Sequence, residues 1–164
     1  METDNNTVGR VRNATENDIT DIAEIEKRCF TEPWSENSFR LCLNENADLF
    51  VLETEDGICG FAVFDRTLGN EAELHNIAVE PSMRRRGFAR KLMDAMIASA
   101  KNHGVERIML EVRASNEGAI ALYESYGFEK VGLRPGYYHH PTENAILMDL
   151  ILEVEKNADN GDDL

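Results

Sequence analysis

The chain has 164 residues, enough for one compact domain, and its 17 Lys and Arg stand against 31 Asp and Glu for a formal net charge of −14. That balance excludes the basic face a nucleic-acid binder needs, and leaves an acidic surface that attracts basic partners. A hydrophobic fraction of 42% excludes a wholly disordered chain, and no apolar run approaches the ~18 residues of a membrane helix. The polar start METDNNTVGR lacks the apolar segment of a secretory signal. Residues 1–9 read as a loose lead and 153–164, with five acids and one base, as an acidic tail. Between them, Thr15 to Asp18 resembles a capping box opening a helix with Ile19, Ile22, Ile25 and Cys29 near one face. Pro33 interrupts, and Ser35 is an N-cap for a short helix carrying Phe39, Cys42 and Leu43. Leu49–Glu53 and Ile58–Thr67 flank Glu55-Asp56-Gly57, a hairpin signal, and Ala72–Val79 is a third long strand stopped at Glu80-Pro81.

The second half alternates more cleanly. Phe88, Leu92, Ala95, Met96 and Ala100 form the stripe of an amphipathic helix, ended by Gly104. Arg107–Val112 is a strand. Ala119, Leu122, Tyr123 and Tyr126 line a further helix closed by Gly127, and Phe128–Leu133 and Ala145–Leu152 finish as strands around a loop rich in Pro, Gly, His and Tyr. The strand-helix-strand-helix-strand run implies an α/β architecture with a mixed sheet. Cys29, Cys42 and Cys59 have no CxxC spacing and read as buried thiols of a reducing compartment, so a cytoplasmic location is expected. His75, His103, His139 and His140 lack the convergent acidic or thiol partners of a metal site, and no metal is expected.

Five bases fall within eight residues of this acidic chain: Arg84, Arg85, Arg86, Arg90 and Lys91. They surround Gly87 at the start of a helix, where free backbone N–H groups and the positive dipole end favour an anion. A solvated basic helix start would look similar, but the concentration of charge points to a polyphosphate ligand. G-x-x-x-x-G-K-[ST] is absent, so the segment is not a P-loop.

Ile77-Ala78-Val79 followed by Arg84-x-x-Gly87-x-Ala89 resembles the Q/R-x-x-G-x-G/A acetyl-CoA signature of the GNAT N-acetyltransferase superfamily. Pro33-Trp34-Ser35, Leu110-Glu111-Val112-Arg113-Ala114-Ser115-Asn116, Ala121-Leu122-Tyr123-Glu124-Ser125-Tyr126-Gly127-Phe128 and Tyr137-Tyr138 are similar to segments of the bacterial ribosomal-protein-alanine N-acetyltransferase (RimI-type) family. The resemblance runs through about residues 10–152 in order. It implies a single-domain fold with a mixed sheet splayed between two central strands and acetyl-CoA wedged in the opening. On the same resemblance, the backbone of Ile77, Ala78 and Val79 would pair with the pantetheine arm. Arg85, Arg86, Gly87, Phe88, Ala89 and Arg90 would cradle the pyrophosphate, and Asn116 would reach the cofactor, although Asn116 equally suits a helix N-cap.

Acetyl transfer to an amine needs a neutral amine and a protonated leaving thiolate, and an α-amine of pKa ~8 is mostly protonated at pH 7. The resemblance assigns Glu111 as general base and Tyr123 as general acid, with direct attack in a ternary complex. Glu111 could instead be a strand glutamate paired with Arg113 or Arg107, Tyr123 a core aromatic, and Glu73 or His75 the base. Trp34, Tyr137 and Tyr138 resemble the residues enclosing the acceptor amine. The expected activity is acetylation of the N-terminal alanine of a basic ribosomal protein. The alternatives are other N-termini or small amines, or a non-catalytic acyl-CoA-binding module, against which the presence of both Glu111 and Tyr123 argues.

Overall fold

Seven strands hydrogen-bond into one mixed sheet in the computed structural model, which describes residues 8–153. In chain order the elements are β1 (Arg10–Asn13), α1 (Ile19–Cys29), α2 (Glu36–Arg40), β2 (Ala47–Thr54), β3 (Gly57–Leu68), β4 (Glu71–Val79), α3 (Phe88–Asn102), β5 (Arg107–Arg113), α4 (Glu117–Ser125), β6 (Glu129–Tyr138) and β7 (Glu143–Ile151). The sheet order is β1-β2-β3-β4-β5-β7-β6, antiparallel throughout except for the parallel β4–β5 pair. Among the described residues no helix is long and apolar enough to cross a membrane.

The α/β reading and the strand-helix alternation are borne out, with instructive differences. β1 was not expected from the sequence: its four residues RVRN offer one apolar side chain, and its order comes from pairing with β2. Arg12 then clamps it, donating to Asp18 at 2.7 and 3.0 Å and to Glu53 at 2.9 Å. Asp18 also accepts from the Thr15 N–H at 2.8 Å, ending a short 3-10 turn that leads into α1. Ser35 caps α2 as expected, accepting from Ser38 N–H at 3.2 Å, but α2 stops at Arg40, so Cys42 and Leu43 pack from a turn. Of the three thiols only Cys59 is fully buried. β6 runs through Tyr138 and takes in Tyr137-Tyr138, because its pairing with β7 resumes at Tyr138↔Glu143. The acidic tail beyond Glu153 and residues 1–7 of the lead lie outside the described residues. The lead's last residue, Gly9, is buried: a Cβ there would come within 2.9 Å of the Phe88 ring.

Two apolar clusters sandwich the sheet. α3 and α4 cover one face through Phe88, Leu92, Met93, Met96, Ile120 and Tyr123 against Ile108, Leu110 and Val112. α1 and α2 cover the other face of β2–β4 through Ile19, Ile22, Ile25 and Phe39 against Leu49, Val51, Phe61, Val63 and Ala78. A bulge at His75 joins the two schemes: Phe64 pairs with Leu74 and Val63 with Asn76, leaving His75 as the extra residue. Ala72 and Leu74 therefore pack in the α3 cluster, as do Ile77 and Val79, although a three-residue step separates Leu74 from Ile77. Asn76 and Ala78 are turned to α1.

Under α1 lies a charge at odds with its surroundings. Glu26 is 1% exposed, with one carboxylate oxygen accepting from Asn76 Nδ2 at 2.8 Å and Trp34 N–H at 3.3 Å. Its Oε2 has no partner, and burial pushes the carboxyl above its ordinary 4.5. The native state therefore holds this proton more tightly than the unfolded chain does. Its stabilising effect is complete below 4.5 and is lost as pH rises through the native value. Glu26→Gln keeps the accepting oxygen and removes the buried charge. It is expected to raise Tm by about 2–4 °C at pH 8, with the gain vanishing near pH 4. Scanning calorimetry at the two pH values checks it, and an equal change at both would remove the charge explanation.

Candidate active site

β4 and β5 pair only from Glu71↔Arg107 to Leu74↔Leu110. Beyond the His75 bulge β4 stays with β3, while β5 stays with β7 as far as Arg113↔Ala145. The two strands thus part company, and the bulge, which adds twist, sits where they separate. The phase of the β3–β4 ladder fixes which backbone groups face the opening. Glu80 N–H donates to Cys59 O at 2.7 Å, so by alternation Ala78 and Asn76 also bond towards β3, while the N–H and C=O groups of Ile77 and Val79 point away from it. Of the expected trio, Ile77 and Val79 offer a free strand edge and Ala78 holds the sheet. Val79 O already accepts from Cys29 Sγ at 3.7 Å and Arg84 Nε at 3.3 Å.

After β4 the chain turns through Arg84–Gly87 into α3. Arg85 has φ +64° and Gly87 φ +77°, left-handed conformations on either side of Arg86. This curl converges successive N–H groups into an anion nest ahead of the helix, where the N–H groups of Phe88, Ala89 and Arg90 lack intrahelical partners. A Cβ on Gly87 would meet nothing within 4 Å, so the space over the nest is open. The basic side chains divide. Arg84 ties the loop to β4, Lys91 Nζ donates to Gly9 O at 2.7 Å, and Arg90 donates to Ser125 Oγ at 2.9 Å beneath the Tyr126 ring. Arg85 and Arg86 are exposed and make no hydrogen bond or ion pair among the described residues. A polyphosphate thus fits Arg85, Arg86 and the backbone of 87–90. Asn116 caps α4, accepting from Ala119 N–H at 3.2 Å, which leaves its amide nitrogen as the group to reach a ligand.

At the other end of the opening, Glu111 is on β5 just past the last β4 pair. Ile108, Leu110 and Val112 fill the α3 cluster, so alternation turns Glu111 to the opposite face. Neither suggested partner holds it: Arg107 pairs with Asp149 and Glu71, and Arg113 with Glu143. Its partner is Arg134 on β6, whose Nε lies 3.2 Å from Oε1. Tyr137 lies against Glu111, which keeps the phenol proton on and raises its pKa. Tyr138 is pushed up to about 12 by burial first and by the charge of Glu111 second. Tyr123 is 6% exposed, packs on Phe128 at 5.8 Å, and has its pKa raised by burial and then by Tyr138. A phenol so placed stays protonated throughout the neutral range. The fold therefore links Glu111 and Tyr123 through Tyr138.

The aromatic walls stand apart. Trp34 packs on Phe39 at 5.5 Å and on His75 at 5.7 Å, beside the bulge. Tyr137 and Tyr138 make an edge-to-face pair at 5.1 Å on β6. Arg113 joins the two sides: it donates to Thr31 Oγ1 after α1, to His139 O and Pro141 O in the β6–β7 turn, and lies 4.5 Å over the Tyr138 ring. Arg113 and Arg134 are the site residues that sequence reasoning missed. Both are charged side chains on strands flanking the opening, but their partners are brought close only by the sheet order. His75 contacts Asp65 at 3.3 Å and Glu73 at 3.7 Å. Among the described residues no group of three or more His, Cys, Asp or Glu is placed to hold a metal.

A family model described as Acetyltransferase (GNAT) family matches residues 19–128, spanning α1 through the nest and α3 to the end of α4. The chain belongs to the GNAT acetyltransferase family. This GNAT chain is 42% identical over 141 residues to the ribosomal protein bS18-alanine N-acetyltransferase of Salmonella typhimurium, covering 84% of its own length and 93% of that relative. The crystal structure of the ribosomal-protein-S18-alanine N-acetyltransferase from Escherichia coli matches with a TM-score of 0.83 at 37% identity, covering 92% of this chain and 98% of that one. Ard1 from Thermoplasma volcanium matches with a TM-score of 0.81 at 28% identity, covering 88% and 98%. The GNAT fold and an acyltransferase activity are thereby established for the chain.

Proposed function

We propose that this GNAT enzyme acetylates the α-amine of a ribosomal protein that begins with alanine, using acetyl-CoA in a ternary complex in the cytoplasm. The observation carrying this reading is the splay itself. It has a free β4 edge, a basic nest at one end and a carboxylate-phenol pair at the other, in a chain 42% identical over most of its length to an enzyme named for that reaction. Acetyl-CoA supplies the thioester whose C–S bond breaks as the N–C bond to the amine forms. Arg85, Arg86 and the N–H groups of 87–90 bind its phosphates, and the outward groups of Ile77 and Val79 align its arm. An N–H of that edge stabilises the carbonyl oxygen as it takes up charge. Glu111 accepts the proton of the α-ammonium, directly or through a water, and Tyr123 Oη gives its proton to the departing sulfur. Asn116 adds its amide to the cofactor side, and Trp34, Tyr137 and Tyr138 wall the acceptor.

An α-amine fits better than a lysine, because its pKa of ~8 lies about two to three units lower. The net charge of −14 favours a cationic acceptor. With intact-mass detection, an alanine-starting basic peptide is expected to exceed its Nα-blocked, lysine-bearing counterpart about a hundredfold in kcat/KM. Added salt should raise KM for the basic peptide as attraction is screened. Free alanine and polyamines should be poor substrates, lacking the following chain that aligns the amine. Equal kcat/KM for the two peptides would refute the Nα assignment while leaving amine acetylation intact.

A further inference from the structure

Beside the acceptor opening, under α2, lies a cavity of about 320 Å³ that the reaction described above does not use. Trp34, Leu41, Cys42 and Val63 give it apolar walls, and Asp65 and His75 give it a polar end. We propose that this cavity is the subsite for the side chain of the acceptor's second residue, and that it selects arginine or lysine there; the inference rests on the Nα reading above.

Three features converge on that ligand. The first is reach. His75 lies two residues before Ile77 on β4, about 7 Å along the strand from the free edge where the thioester aligns. The second residue of a peptide begins about 3.8 Å of chain beyond the first, so its side chain starts near the cavity when the α-amine is at the reacting carbon. The second is shape and polarity. Apolar walls followed by a carboxylate match an arginine or lysine, whose methylene stem covers apolar surface while its head stays polar. Trp34, held from behind by Phe39, offers a ring face to the cationic head.

The third is charge. Burial acts to raise the Asp65 carboxyl, but hydrogen bonds from Thr67 N–H at 2.8 Å, the Thr67 hydroxyl and His75 outweigh it and hold it below its ordinary value. Glu73 stands on the far side of His75, so two carboxylates flank that ring. An acidic second residue would meet both of them, a neutral one would leave the carboxylate end unused, and a basic one complements it.

The test is a peptide series in which only the second residue changes, Ala-Arg, Ala-Ala and Ala-Glu with a common remainder. The expected kcat/KM falls about tenfold at each step, so that Ala-Arg exceeds Ala-Glu about a hundredfold. Asp65→Asn retains an oxygen for the Thr67 N–H, so the turn persists. It is expected to shrink the Ala-Arg to Ala-Glu ratio to about fivefold, and Asp65→Lys to invert it. A merely structural role for Asp65 would lower all three peptides together and leave the ratio unmoved, which would overturn the subsite. So would equal kcat/KM across the series in the wild type. Failure of all three peptides alongside acetylation of the Nα-blocked lysine counterpart would overturn the Nα reading, and the subsite with it.

Discussion

Glu111→Gln is expected to lower kcat on the order of tenfold to several-thousandfold, with acetyl-CoA affinity changed little. The amide keeps the size of the carboxylate and its place on β5, but it takes no proton from an ammonium and leaves Arg134 without its partner at 3.2 Å. Arg134→Gln separates the two effects. If loss of the ion pair were the cause, Arg134→Gln would match Glu111→Gln; if proton removal is the cause, it will not. The pH profile distinguishes them further. An α-amine becomes neutral on its own near pH 8, so Glu111→Gln should recover activity towards high pH, with its optimum moved upward. Tyr123→Phe should lower kcat over a similar range with no such recovery, because the missing proton belongs to the leaving sulfur. Burial holds the Tyr123 phenol well above its usual value, so no alkaline limb from Tyr123 should appear below pH 10. The rival strand is tested in parallel. Glu73 points beside His75 rather than alone into the opening, and abolition of turnover by Glu73→Gln but not by Glu111→Gln would move the base to β4.

Much of this arrangement can be read from residue order, and the exceptions have a common cause. α3, α4 and β5 follow from apolar steps inside single segments. Gly104 and Gly127, expected as helix terminators, have φ +69° and +96°. The cofactor end was legible because it is local: nest, glycine and helix start are contiguous. The acceptor end is assembled from β4, β5, β6 and the segment after α1, whose neighbourhood depends on β7 inserting between β5 and β6. Nothing in the spacing of Glu111 and Arg134 announces a 3.2 Å ion pair. The His75 bulge is an intermediate case. Ala72, Leu74, Ile77 and Val79 step by two, three and two, and the odd step marks where alternation slips a face. Read as one uninterrupted strand, AELHNIAV hides the point at which the sheet opens. Asn116 is both things expected of it: the N-cap uses its oxygen, and the amide nitrogen is left for the opening.

Gly87→Glu is expected to weaken CoA binding on the order of a hundredfold or more, measured by calorimetry. Two costs act together. At φ +77° a side chain with a Cβ is strained whatever space surrounds it. The open volume above Gly87 would also receive a carboxylate at a helix N-terminus, where the phosphates need the same N–H groups and the same charge from Arg85 and Arg86. Gly87→Asn tells the costs apart, since asparagine tolerates the left-handed region and brings no charge. Its loss should be several-fold at most, and the gap between the two variants measures the repulsion between carboxylate and phosphate. That gap should narrow as ionic strength rises, and it should disappear for pantetheine, which carries no nucleotide phosphates and should bind both variants and the wild type weakly and alike. Unchanged CoA affinity in Gly87→Glu would sink the phosphate assignment. Equal losses for CoA and pantetheine would mean that the substitution had disturbed the β4 edge through α3, leaving the nest without a role in binding.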